Sequence, residues 1–134
     1  MYLLDTVVLS ELRKKERNVG VTAWIVEKRD STLFISVISI GEIIRGINLQ
    51  MKVNPNFAQA LRLWLEQLIL AYGDKILPVD GRIARRWGDL SAQIGNAGVD
   101  ILLAATALEH DLAVVTKNEK HFLNTGVRVI NPWV

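Results

Sequence analysis

Three acidic residues stand at positions where a carboxylate can do chemistry. Asp5 directly follows the apolar run at 2–4, Glu42 lies just beyond the apolar run at 33–35, and Asp100 precedes an apolar helical stretch at 101–105. In a parallel α/β sheet, ligands bind where buried strands end and the following helices begin. Acids that recur in these settings, far apart in sequence, predict one cluster in space. A cluster of carboxylate oxygens without a matching lysine or arginine suits a hard divalent cation.

Each acid also has a simpler structural explanation. Asp5 and Asp100 could each cap a helix, and Glu42 could form an ion pair with Arg45. Independent structural roles, however, give no reason for acids to recur at this succession of sheet-edge positions. The set of three therefore favours a metal site over separate caps.

Further polar residues follow the fourth predicted strand and so reach the same edge of the sheet. Thr116 and Asn118 could orient water or bind phosphate, or they could cap a turn. His121 could be a metal ligand, a phosphate contact or an exposed loop residue, and the last is favoured. Basic residues cluster in two places, at Arg82, Arg85 and Arg86 and at Lys14, Lys15 and Arg17. Solvated surface charge is the usual explanation of such clusters, although both could line a path for a nucleic acid.

Apolar runs alternate with helical periodicity along the chain. Strands are predicted at residues 2–5, 32–36, 75–79, 113–116 and 127–130. Helices are predicted at 6–14, at 21–28, from Ser36 or Ser39 through 47, from Asn54-Pro55 to the break at Gly73-Asp74, from Asp80 through 90, and from Asp100 to Glu109. Strands that alternate with helices predict an α/β fold with a mainly parallel sheet of four to five strands, covered on both faces.

Composition narrows the class of protein. A chain of 134 residues is expected to form a single domain, 1–134, and an apolar content of 50% argues against disorder. The absence of cysteine excludes a disulfide framework and a thiolate site, and it fits a reducing, cytoplasmic location. No apolar stretch approaches the length of a membrane span, and Met1 leads directly into a strand, so no signal peptide is expected. The net charge of +2 is too small to indicate nucleic-acid binding.

The ordered set of short motifs resembles the PIN-domain toxins of bacterial toxin–antitoxin pairs, most closely the VapC branch with its FitB-like members. The resemblance runs from Met1 to Val134 and rests on these strings in order: Leu3-Leu4-Asp5-Thr6 with Ser10-Glu11; Ser36-Val37-Ile38-Ser39 with Gly41-Glu42 and Arg45-Gly46; Asp100 to Ala107; Val114 to Asn118; and Ile130-Asn131-Pro132-Trp133. Each motif is weak alone, whereas the ordered set is specific.

The resemblance implies a three-layer α/β/α domain that acts as a Mg²⁺- or Mn²⁺-dependent ribonuclease. It also implies a homodimer and inhibition by a small antitoxin, which in turn binds operator DNA. By position, Asp5, Glu42 and Asp100 match the acids of the family. His121 stands where many relatives have a fourth acid, which leaves the second metal position and the metal preference open. Asn118 or Glu119 could replace that acid.

The mechanism that these residues predict is metal-assisted phosphodiester hydrolysis. Asp5 and Asp100 would be the principal ligands, and Glu42 would bind directly or through water. The neutral side chains of Thr6, Thr116 and Asn118 would fix these groups. Single-stranded or looped RNA is the expected substrate, because a recessed cluster reaches an unpaired backbone most easily.

Two other classes of protein fit the pattern less well. A receiver-type signalling domain also has acids at strand ends, but it needs a phosphoacceptor aspartate after its middle strand and a lysine after its last one. Here strand three leads to Pro78-Val79-Asp80 and strand five to Asn131-Pro132. The other class is a PIN-like binding module that has lost catalysis, for which His121 is the one indication.

Overall fold

The computed structural model describes residues 1–134 and contains a central sheet of five strands. The strands are β1 (Tyr2–Leu4), β2 (Leu33–Ser36), β3 (Ile76–Leu77), β4 (Ala113–Val115) and β5 (Val129–Ile130). The helices are α1 (Thr6–Arg13), α2 (Val19–Glu27), α3 (Val37–Met51), α4 (Pro55–Tyr72), α5 (Gly81–Ile94) and α6 (Val99–Glu109). Two short 3₁₀ helices, Gly73–Lys75 and Glu119–Phe122, complete the chain.

The strand order β3-β2-β1-β4-β5 places β1 at the centre of the sheet. Every neighbouring pair is parallel, so the predicted parallel sheet is confirmed. From β1 the chain continues to β2 on one side, whereas β4 adds on the other side. The carboxyl ends of β1 and β4 therefore flank the topological switch point, where open α/β sheets bind their ligands.

Alternation along β1 builds a core on each face of the sheet. Successive strand residues point to opposite faces. Leu4 belongs to a core shared with helices α1 to α4, and Leu3 belongs to a second core shared with α6. The three-layer arrangement predicted from the alternation of elements is thus confirmed.

Several element bounds differ from those that the sequence predicts. β3 has two residues rather than the predicted 75–79, since Pro78 has no N–H with which to extend the ladder. α2 begins at Val19 rather than residue 21, because the side chain of Asn18 accepts hydrogen bonds from the next free amides. Of the two serines predicted to cap α3, Ser36 does so. No helix combines the length and apolarity needed to cross a membrane.

Candidate active site at the carboxyl edge of the sheet

Asp5 is fixed where β1 turns into α1. It is the N-cap of α1, and its Oδ1 accepts a hydrogen bond of 2.7 Å from the amide of Thr6. Its Oδ2 accepts a second bond of 2.7 Å from the hydroxyl of Thr116, which follows the neighbouring strand β4. Both side chains are buried, Asp5 with 5% exposure and Thr116 with 0%. The two strands that flank the switch point thus hold one carboxylate rigidly between them.

Capping is therefore part of what Asp5 does, but the charge around Asp5 exceeds what a cap requires. Burial raises the pKa of Asp5 above its ordinary value of 3.8. The hydrogen bonds from Thr116 and Thr6 lower this pKa, while the negative charges of Asp100 and Glu42 raise it again. No lysine or arginine forms an ion pair with any of the three acids. Asp100 and Glu42 thus lie close enough to Asp5 to act on its charge, without a lysine or arginine to compensate.

Glu42 is linked to the start of α1 through Thr6. The hydroxyl oxygen of Thr6 lies 2.7 Å from Glu42 Oε1 and 2.8 Å from the hydroxyl oxygen of Ser39. Because a hydroxyl donates one hydrogen bond, Thr6 donates to the carboxylate and accepts from Ser39. The alternative ion pair between Glu42 and Arg45 is not formed.

Asp100 is held by a residue from the far side of the site. It is the second residue of α6 and makes no capping hydrogen bond, so the alternative role as a helix cap does not apply. Its Oδ2 instead lies 2.8 Å from Nδ1 of His121. His121 is therefore more than the exposed loop residue that the sequence favours, although its side chain is still 53% exposed.

The side chains as they lie do not form a ready-made metal centre. No three carboxylate, imidazole or thiol groups converge closely enough to hold a metal ion, because Glu42 is bonded to Thr6 and Asp100 to His121. Glu42 is exposed and the side chain of Asp100 is 33% exposed, whereas Asp5 is buried with both of its oxygens hydrogen-bonded. An oxygen donor set with one fixed member fits Mg²⁺ or Mn²⁺ in its chemistry.

Of the three neutral residues predicted to fix the acids, two form hydrogen bonds with them and one does not. Thr6 and Thr116 each bond an acid, as described above. Asn118 donates its backbone N–H to the hydroxyl of Thr116 at 3.0 Å, but its side chain makes no hydrogen bond. Asn118 therefore shapes the turn after β4, and its predicted contact with the acids is not formed.

Ser39 lies at the candidate site, although the sequence indicates it only as a possible cap and as part of a motif, without a role at the site. It is fully buried next to Thr6. Its spacing from Glu42 could have revealed it, because residues three apart on a helix lie on one face. Ser39 and Glu42 thus present their oxygens to the same threonine.

Replacing Thr116 by valine is expected to destabilise the fold at neutral pH by about 1.5–3 kcal/mol, the usual contribution of a hydrogen bond to a charged group. The pKa of Asp5 should rise further, because Thr116 is its main stabilising donor. Serine at position 116 keeps the hydroxyl and is the matched control. Urea unfolding at pH 7 measures the difference, and equal stability of the valine and serine variants would contradict this role for the hydroxyl.

The chain matches the profile of the PIN domain over residues 2–127. It is 34% identical to VapC ribonuclease Y4jK of Sinorhizobium fredii, covering 99% of this chain and 98% of that protein. It is 32% identical to Toxin FitB of Neisseria gonorrhoeae, covering 99% of each. The crystal structure of FitAcB from the same organism superposes with a TM-score of 0.82 at 31% identity over 99% of both chains.

A second solved structure, FitAB bound to an IR36 DNA fragment, superposes with a TM-score of 0.81 at 31% identity, covering all of this chain and 96% of that one. Sequence and fold agree over practically the whole length. The chain therefore belongs to the PIN domain family, among the relatives named VapC and FitB.

Proposed function

We propose that this chain is the toxin of a toxin–antitoxin pair and acts as a metal-dependent endoribonuclease. The observation that carries the proposal is Asp5, a buried carboxylate with a raised pKa on which two further acids act. A relative that covers the full chain is named a VapC ribonuclease. The cap that Asp5 provides does not need the charges of Asp100 and Glu42 beside it, whereas a cation and a phosphate would make use of all three.

Asp5, Asp100 and Glu42 would hold the cation, with Glu42 binding directly or through water. When bound, Mg²⁺ or Mn²⁺ supplies a Lewis acid that activates water and offsets the charge of the phosphate. The protein's own contribution is positional. Thr116 fixes Asp5, Thr6 restrains Glu42, and His121 restrains Asp100.

Single-stranded or looped RNA is the substrate that we expect. Asp5 lies recessed between two strand ends, and an unpaired backbone can bend into such a site more easily than a regular A-form helix. A labelled RNA should be cleaved with Mg²⁺ at least about tenfold faster alone than when annealed to its full complement. Equal rates on the two forms would contradict the assignment of substrate.

We place the protein in the cytoplasm, because RNA and a reducing environment are both found there.

We further propose that an antitoxin inhibits the chain, and that the active protein is a homodimer. A groove of about 260 Å³ opens beside Thr6 and Glu42, between α1, α3 and α4. Its walls include Phe57, Leu61 and Trp64, which would suit the apolar face of a partner helix. Contact with operator DNA would come only through that antitoxin.

Light scattering at tens of micromolar tests the proposed homodimer, and a monomeric mass would contradict it.

Filling this groove should separate inhibition from catalysis. Gly46 lines the groove and a Cβ there would meet nothing within 4 Å, so Gly46→Leu adds an apolar side chain to the groove from an unobstructed position. We expect this variant to bind the antitoxin at least about tenfold more weakly, since a lost apolar contact of this size costs roughly 1–3 kcal/mol. Gly88→Leu is the matched control, because Gly88 lies on α5, outside the groove, and a Cβ there also meets nothing within 4 Å. Unchanged inhibition of the Gly46 variant would place the antitoxin elsewhere.

A further inference from the structure

The turn after β4 forms a small cavity whose two lysines have no role in the site described above. The cavity has a volume of about 310 Å³ and is lined by Lys117, Asn118, Glu119, Lys120 and His121. We call these five residues the 117–121 loop. Neither lysine forms an ion pair, and both are exposed. The loop thus presents two ammonium groups without a carboxylate partner.

Two acidic residues near the lysines, Glu119 and Glu11, form hydrogen bonds with other groups. Glu119 accepts a hydrogen bond of 3.1 Å from the side chain of Asn131. Hydrogen bonds from the backbone of Asn18 and from Lys14 lower the pKa of Glu11, and the charge of Lys117 lowers it to a smaller extent. Neither carboxylate forms an ion pair with Lys117 or Lys120, so both exposed ammonium groups can bind an anion from solvent.

His121 fixes the position of the loop relative to the acids. Its Nδ1 lies 2.8 Å from Asp100, whereas its second ring nitrogen makes no hydrogen bond. The wall of the cavity and a site carboxylate are thus in direct contact. An anion in the cavity would lie next to the position at which a phosphate would be cleaved.

We propose that the 117–121 loop is a phosphate-binding subsite that holds the RNA backbone next to the scissile position. The inference rests on the proposed ribonuclease function and names the part of the chain that grips the substrate. Lys117 and Lys120 bind one or two phosphates that adjoin the cleaved one, through charge alone. The subsite is therefore indifferent to base sequence and adds affinity without taking part in the chemical step.

A second basic cavity is less suited to binding the RNA backbone next to the acids. It is lined by Arg82, Arg85 and Arg86. Arg86 is paired with Glu109 at 2.8 Å, and Asp89 also lines the cavity. Glu109 ends α6, whereas Asp100 lies in its first turn. Nine residues of helix separate them by about 14 Å. The arginines therefore lie well away from the acids.

The test compares Lys117→Ala/Lys120→Ala with Lys52→Ala/Lys75→Ala. The control removes the same charge from exposed lysines outside any ion pair, one at the end of α3 and one before β3, away from the acids. Binding of a labelled single-stranded RNA is measured by fluorescence anisotropy in EDTA at several salt concentrations. Thermal melts establish that all proteins are folded, and cleavage with Mn²⁺ is measured in parallel.

The loop variant is expected to bind RNA about tenfold more weakly near 0.15 M salt. The slope of the logarithm of its binding constant against the logarithm of the salt concentration should be shallower by about 0.7 for each lost phosphate contact. Its cleavage rate at saturating RNA should stay near that of the parent. The control should bind within about twofold of the parent. If the parent cleaves RNA but both variants bind alike, the subsite is wrong and the proposed function stands. If the parent neither binds nor cleaves RNA, both proposals are wrong.

Discussion

Replacing Asp5 or Asp100 by asparagine is expected to reduce RNA cleavage by at least about a hundredfold, the order of effect when a group that stabilises developing charge is removed. Asparagine preserves shape and can still accept the capping bond that Asp5 takes from Thr6. It removes the negative charge, and with it the ligand that a hard cation requires. Initial rates of cleavage of one labelled RNA, with Mn²⁺ in excess, measure the effect.

Asp80→Asn is the matched control for this experiment. Asp80 is also an N-cap, of α5, and its Oδ1 accepts from the amide of Ile83. This variant should cleave RNA at the rate of the parent. If Asp5→Asn and Asp100→Asn do the same while remaining folded, these carboxylates have structural roles only and are not ligands.

Asp5→Asn, which is expected to reduce RNA cleavage, should increase the stability of the protein when no metal is present. The pKa of Asp5 is raised in the fold, so the native state binds its proton more tightly than the unfolded chain does. The ionised form therefore costs stability, and this cost grows as the pH rises from 3.8 through the folded pKa. At pH 7 in EDTA, Asp5→Asn should melt about 2–5 °C higher than the parent, for a gain on the order of 1 kcal/mol. Below pH 3.8 the advantage should disappear.

Added Mn²⁺ should make the parent melt at a higher temperature than Asp5→Asn. A ligand at about 100 times its Kd stabilises the native state by about 2.7 kcal/mol, and the parent has one more carboxylate with which to bind it. Asp100→Asn should behave in the same way, with a smaller gain in EDTA because its side chain is partly exposed and its repulsion is screened. Asp80→Asn should respond to Mn²⁺ as the parent does. Equal shifts with Mn²⁺ in all four proteins would remove the chemical basis of the metal site.

The arrangement of the acids along the sheet could be predicted because it depends on pattern. A buried run such as Tyr2-Leu3-Leu4, followed by a capping residue and helical periodicity, determines that a strand ends at Asp5 and a helix begins. Once the strands are parallel, their carboxyl ends must share one edge. Asp5 and Thr116 accordingly meet across 111 residues of sequence.

The side-chain contacts could not be predicted, because they depend on rotamers and on the exact length of each element. The pairing of His121 with Asp100 requires the short 3₁₀ helix Glu119–Phe122, for which no periodic signal exists. The bond from Thr6 to Glu42 likewise depends on where α3 begins, which the sequence left between Ser36 and Ser39. Whether the three predicted ligands bind one cation together stays a prediction.

Cleavage of a mixed RNA pool by the purified chain tests the central claim most directly. We predict discrete cleavage products with Mg²⁺ or Mn²⁺, none with excess EDTA, and recovery of the same products when Mn²⁺ is restored. Equal cleavage in EDTA would contradict the metal-dependent mechanism, and no cleavage under any of these conditions would leave the chain as a PIN-like binding module.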